Sequence, residues 1–135
     1  MRYFLPFAVM SLMLASCSTP PRQPQRFASV IGLKDDKAEE YKRLHQAVWP
    51  DVMKAVRDAN IRNYSIYLQR LPDGKLYLFS YLEYAGSDHR ADMAKLAGNP
   101  KVKEWWTLTD PCQQPLAGRK PGEWWAAMDE VSHQD

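Results

Sequence analysis

Apolar residues fall into distinct patterns along this chain, and each pattern predicts an element. Phe4–Leu14 is an apolar run without a charged side chain. It has the length of a signal-peptide hydrophobic region and is too short to span a bilayer as a helix. Ala15 and Ser16 then lead to Cys17. Ser18–Gln25 is polar and holds three prolines, so it reads as a semi-rigid tether rather than a helix or central strand. From Arg26 the chain reads as a folded domain. Phe27, Val30, Ile31 and Leu33 predict a short strand over Arg26–Leu33, followed by a polar turn, Lys34–Lys37, in which Asp35 or Asp36 caps the next helix. From Ala38, apolar residues recur at helical spacing through Tyr41, Leu44, His45, Val48, Trp49, Val52 and Val56. Pro50 lacks an amide hydrogen and crowds the carbonyl one turn back, so the helix breaks or kinks there and His45 and Trp49 flank a distorted turn.

Asn63–Leu71 alternates as a strand, Pro72-Asp73-Gly74 is a strong turn signal, and Lys75–Tyr84 forms the second arm of a hairpin. Leu76–Leu82 is apolar on both faces. A sheet with one wet face alternates more cleanly, so helices are expected on one face and some other cover on the opposite one. A second helix is predicted over Asp88–Leu96, capped by Ser87 or Asp88 and stopped by Gly98-Asn99-Pro100. Lys101–Thr109 is a short helix, Pro111–Gly122 a loop, and Met128–His133 a last short strand. The order strand, helix, strand, strand, helix, strand is α+β, in the ferredoxin-like βαββαβ arrangement. Pairing two such chains covers the open sheet face, which predicts a homodimer.

Leu14-Ala15-Ser16-Cys17 resembles the lipobox of bacterial lipoprotein signal peptides. That resemblance implies that residues 1–16 are removed, that Cys17 is lipidated, that residues 17–25 tether the lipid, and that residues 26–135 form the working domain. Ser18 after the cysteine is not an acidic retention signal, so the expected location is the cell envelope, on the periplasmic side of the outer membrane. A mature chain of 119 residues, left when sixteen of 135 are removed, suits one domain with a core. Loss of Arg2 takes the formal charge from +2 to +1, and such a balance argues against nucleic acid as a partner. With Cys17 lipidated, Cys112 has no partner within the chain, so no disulfide framework is expected.

Three constellations carry candidate chemistry. Tyr41 and His45 lie four apart, hence on one helix face, and an imidazole beside a phenol is able to exchange protons near neutral pH. The same spacing also fits a hydrogen-bonded core histidine. Tyr64 and Tyr67 point to opposite faces of their strand and cannot both serve one pocket. Trp105 and Trp106 point about 100° apart on a helix, which places one in the core and lets the other line a cavity. Trp124-Trp125 poses the same choice. His45, His89 and His133 lack metal-ligand spacing, and no glycine-rich phosphate loop is present.

Together these stretches resemble the L-rhamnose mutarotase family. The family's Tyr-x-x-x-His-x-x-x-Trp-Pro run is Tyr41, His45, Trp49 and Pro50 here. Its Asn-Tyr-x-Ile-Tyr-Leu strand is Asn63, Tyr64, Ile66, Tyr67 and Leu68, its tryptophan pair Trp105-Trp106, and its terminal strand Met128, Glu130, Val131 and His133. The resemblance spans about Arg26–His133. It implies a dimeric α+β barrel of ferredoxin-like subunits that interconverts the α and β anomers of L-rhamnose, or of a similar deoxy-sugar, without metal or organic cofactor. His45, Tyr41 and Tyr64 are the implied catalytic residues, with Trp105, Trp106 and Asn63 holding the sugar. Ser132 replaces the usual aromatic before the last histidine, and Pro111–Trp125 departs from the family pattern. Usual members are cytosolic, unlike a lipid-anchored chain. Two alternatives stay open on the residues: a non-catalytic sugar-binding lipoprotein that kept the pocket, and another reaction on the same fold, such as that of monooxygenases.

Overall fold

A computed structural model describes residues 23–134. The signal segment, Cys17 and most of the tether lie outside the described residues. Strand β1, Gln25–Leu33, is followed by a single 3-10 turn and helices α1, Ala38–Gln46, and α2, Pro50–Asp58. A hairpin of β2, Ile61–Arg70, and β3, Leu76–Tyr84, leads to helices α3, His89–Gly98, and α4, Pro100–Thr109. Two short strands close the chain, β4, Gln113–Gln114, and β5, Ala126–Met128. Among the described residues no helix is long and apolar enough to cross a membrane.

The sheet is antiparallel in the order β2-β3-β1, with β4 and β5 sharing the far edge of β1. β1 and β2 run parallel with β3 between them, the split βαβ arrangement of a ferredoxin-like fold. The strand expected over Met128–His133 is shorter and earlier, because Asp129–Asp135 holds one apolar residue, Val131, which is 95% exposed. Glu130 instead reaches Arg26 through a two-pronged ion pair. The predicted loop Pro111–Gly122 also holds an element: β4 pairs Gln113 with Leu33 and Gln114 with Gly32. Gly32 permits this approach, since a Cβ there would lie 2.7 Å from the Gln114 carbonyl oxygen.

Pro50 ends one helix and begins the next. α1 stops at Gln46, Trp49 is extended, and Pro50 takes the first position of α2, where a missing amide hydrogen costs nothing. Neither Asp35 nor Asp36 caps α1; Lys37 precedes it without a side-chain cap, and the Asp35 carboxylate pairs with Arg70. Asp88 does cap α3, accepting from the Ala91 amide at 3.0 Å. Asn99 ends α3 and caps α4 through the amides of Lys101 and Val102. α3 is tied to the sheet by Asp92, which accepts from the Tyr84 hydroxyl at 2.6 Å and the Asn60 amide at 2.9 Å.

Ile31, Leu33, Leu76 and Leu78 on the sheet pack with Ala38, Tyr41 and the free thiol residue Cys112 as the buried core. Trp125 packs against that core, while Trp124 stays exposed. The alternate positions of the central strands, among them Val30, Phe79 and Tyr81, lie on the sheet face away from this core.

Candidate active site

A cavity of about 800 Å³ lies between the helices and the sheet. Tyr41 and His45 of α1, Tyr64 of β2, and Trp105 and Trp106 of α4 all line it. Asn63 does too, as do apolar residues of α2 and α3 such as Val52, Met53, Met93 and Leu96. Arg57 and Arg62 supply its positive charge.

His45 occupies the last turn of α1, and the break at Pro50 leaves it half-buried beside the cavity. Its ring stacks on Tyr41, with centroids 4.1 Å apart, and meets the edge of Trp105 at 5.6 Å. His45 Nδ1 lies 3.0 Å from the Tyr41 backbone carbonyl oxygen. A carbonyl only accepts, so Nδ1 carries the hydrogen and Nε2 keeps its lone pair in the neutral ring. Burial pushes the imidazole below its ordinary pKa, and the hydrogen bond to the carbonyl pulls weakly the other way.

Tyr41 is buried in the core and lines the cavity. Burial, and next the nearby Tyr64 phenol, hold its pKa far above the usual tyrosine range. The Gln113 side chain offsets part of this by bonding to the hydroxyl. Gln113 Oε1 accepts from the Trp124 indole at 2.7 Å, and that donor-only group fixes which end of the amide is oxygen. The Gln113 NH₂ therefore faces Tyr41 and donates to its hydroxyl oxygen, which leaves the Tyr41 proton out of that bond.

Tyr64 reaches the cavity through a β-bulge. Arg62 pairs with Glu83 and Ser65 with Tyr81, so Asn63 and Tyr64 together oppose Leu82. Asn63 adopts φ of 47°, a left-handed conformation that Asn tolerates better than most residues. Bulges re-aim side chains, and here the bulge directs Tyr64 inward. Its side chain is 48% exposed and lines the cavity, and burial pushes its pKa up. Tyr67, on the other face, is 64% exposed and borders no part of the cavity. The Asn63 amide donates to Glu83 at 2.7 Å rather than standing free.

Trp105 is 5% exposed and meets Trp49 edge-on at 5.3 Å, so it braces the site from within the core. Trp106, 38% exposed, offers more open indole to the cavity. Sequence reasoning missed Gln113, which sat in an assumed loop, and the polar rim of Arg57 and Arg62; neither position carries a periodic signal. Among the described residues no group of three or more His, Cys, Asp or Glu side chains is placed to hold a metal ion. The arrangement offers a lone-pair nitrogen, two protonated phenols and aromatic walls in one enclosure, which suits proton transfer on a neutral polyhydroxylated ring.

Comparison with known proteins points the same way. The family profile described as L-rhamnose mutarotase matches residues 26–134. The L-rhamnose mutarotase of Rhizobium meliloti (strain 1021) is 30% identical over 97 residues, 72% of this chain and 88% of that protein. That of Listeria monocytogenes serotype 4b (strain F2365) is 31% identical with the same coverage. Among solved structures, an L-rhamnose mutarotase from Formosa agariphila superposes with a TM-score of 0.62 at 23% identity, covering 82% of this chain and 99% of its own. The tetracenomycin F2 cyclase of Streptomyces glaucescens superposes at 0.58 with 14% identity over 82% of this chain and 97% of its own. These two likenesses establish the fold, and the second shows that one fold serves different chemistries.

Proposed function

We infer that this chain, which belongs to the L-rhamnose mutarotase family, interconverts the α and β anomers of L-rhamnose in the cavity described above. It is an isomerase. The observation that carries the assignment to this cavity is that Tyr41, His45, Tyr64, Trp105 and Trp106 border a single cavity.

The chemistry follows from their protonation states. Mutarotation breaks the bond between C1 and the ring oxygen, while the anomeric hydroxyl loses a proton and the ring oxygen gains one. We assign the base to His45 Nε2, the nitrogen left bare by the Tyr41 carbonyl. Tyr41 and Tyr64 stay protonated at neutral pH, so each has a proton to donate to a sugar oxygen. One of these phenols passes its proton to the ring oxygen as the C1–O bond opens, and regains it when the ring closes. The aldehyde turns about its bond to C2 and recloses on the other face, returning the His45 proton to the new anomeric oxygen. Aromatic and aliphatic walls accommodate the apolar face and methyl group of a 6-deoxy sugar.

The test is α/β exchange of L-rhamnose followed by NMR saturation transfer. The protein accelerates exchange above the spontaneous rate if the assignment holds, and leaves it at the buffer value if it does not.

Two further parts of the reading concern assembly and location. A second copy of the chain covers the exposed sheet face; the support is the apolar character of Val30, Phe79 and Tyr81 on the side without helices. Light scattering on the mature chain with Cys17→Ser should give twice the chain mass, and Tyr67→Asp should lower it. Lipid on Cys17 holds the protein at the outer membrane; the support is the Leu14-Ala15-Ser16-Cys17 run. Fatty-acid labelling should mark the wild type and not Cys17→Ser.

A further inference from the structure

A second open space of about 670 Å³ lies between α4 and the segment around β4. Trp106 borders it as well as the catalytic cavity, so one indole lines both spaces. Trp124, 45% exposed, also borders it, and its indole nitrogen is fixed by Gln113. A tryptophan held by its N–H has a set orientation and loses little freedom when a ligand stacks on it. Asp110 lines the same groove, and burial alone pushes its carboxyl up with no cation or amide to offset it. Lys103 and Gln114 add hydrogen-bonding groups along the groove. Two indoles and a carboxylate lining one groove supply the recognition chemistry of a pyranose, whose C–H face stacks on aromatic rings and whose hydroxyls donate to carboxylates.

We propose that this groove is a second sugar subsite, holding the neighbouring unit of a short saccharide whose reducing-end rhamnose occupies the catalytic cavity. The inference rests on the assignment of that cavity to rhamnose. It widens the substrate class from the free monosaccharide to saccharides with rhamnose at the reducing end, since these keep the free anomeric hydroxyl that the reaction needs. The indole of Trp106, shared by both spaces, favours this occupant over an unrelated ligand.

The experiment measures anomer exchange by NMR with the detergent-solubilised full chain. Its substrates are free L-rhamnose and three disaccharides in which a second L-rhamnose is joined to O2, O3 or O4 of a reducing-end L-rhamnose. For at least one disaccharide, kcat/KM should exceed that of free rhamnose by about three- to tenfold, the size of an aromatic stacking contribution. Trp124→Ala should bring that ratio towards one; using the ratio cancels any general effect of releasing Gln113. Thr107→Trp, which crowds the groove from α4 and leaves the Trp124 hydrogen bond in place, should lower it too. A wild-type ratio at or below one for all three disaccharides overturns the subsite, as does a ratio unmoved by both variants. A fall in oligomeric mass in both variants also overturns it, because the groove is then covered by a second copy. No exchange of any substrate removes the rhamnose assignment instead. In that case saturation-transfer contacts to the non-reducing ring, present in wild type and lost in Trp124→Ala, support the groove, and their absence in wild type overturns it.

Discussion

His45 Nδ1 and the backbone carbonyl oxygen of Tyr41 lie 3.0 Å apart, one helical turn from each other. This contact determines which ring nitrogen is available for chemistry. It joins the two most widely spaced steps of the account, a four-residue sequence interval and a proton acceptor in a sugar pocket. A pH profile follows from it. The imidazole pKa is depressed below its ordinary 6.5 by burial. The acid limb of kcat/KM for anomer exchange should therefore fall below pH 6.5, with a flat region from there to pH 8. An NMR titration of the His45 ring should give the same value, and a limb above 6.5 contradicts the assignment. Stability moves in the same sense: between the two pKa values the unfolded chain binds the proton and the folded chain does not, so stability should fall as pH drops through this window.

Trp105 and Trp106 are neighbours with different consequences. Trp105→Ala removes a buried indole that braces His45 and Trp49, and should cost about 3–5 kcal/mol by thermal or denaturant unfolding. Trp106→Ala should cost less than about 1 kcal/mol of stability and act mainly by raising KM for rhamnose. Equal stability losses in the two variants contradict this division.

Gly32 controls the site from a distance. A methyl group there would meet the Gln114 carbonyl oxygen at 2.7 Å, too close for a backbone contact. Gly32→Ala should push β4 from the sheet edge, at about 1–3 kcal/mol, and shift Gln113 away from Tyr41. Anomer exchange should slow beyond what the unfolded fraction explains. Gln113→Leu should slow exchange by roughly tenfold, the value of one lost buried hydrogen bond, and lower stability by about 1–3 kcal/mol, since Tyr41 and Trp124 both lose a partner; unchanged kinetics in Gln113→Leu would show that the amide does not act on Tyr41.

Most of the fold was legible because its elements are short and sharply punctuated. Pro50, Pro72-Asp73-Gly74 and Gly98-Asn99-Pro100 each fall where a helix or strand ends. The Tyr41–His45 pair was legible because helical geometry converts a spacing of four into a shared face. The bulge at Asn63-Tyr64 was not, since strict alternation already placed Tyr64 opposite Tyr67 and gave no sign that two residues face Leu82. β4 was hidden because two residues between prolines have no periodicity, and the open edge of β1 decides their pairing. The last strand is shorter than the family-like ending implies, because only Val131 after Met128 is apolar and it finds no packing partner in the core.

Anomer exchange in His45→Ala decides whether the imidazole is the base. Positioned acid–base groups contribute about 10²–10⁴-fold, so the variant, folded by circular dichroism and still retaining rhamnose in saturation-transfer experiments, should lose catalysed anomer exchange by at least about 100-fold. Exchange at the wild-type rate in that variant would show that the imidazole moves no proton in this reaction.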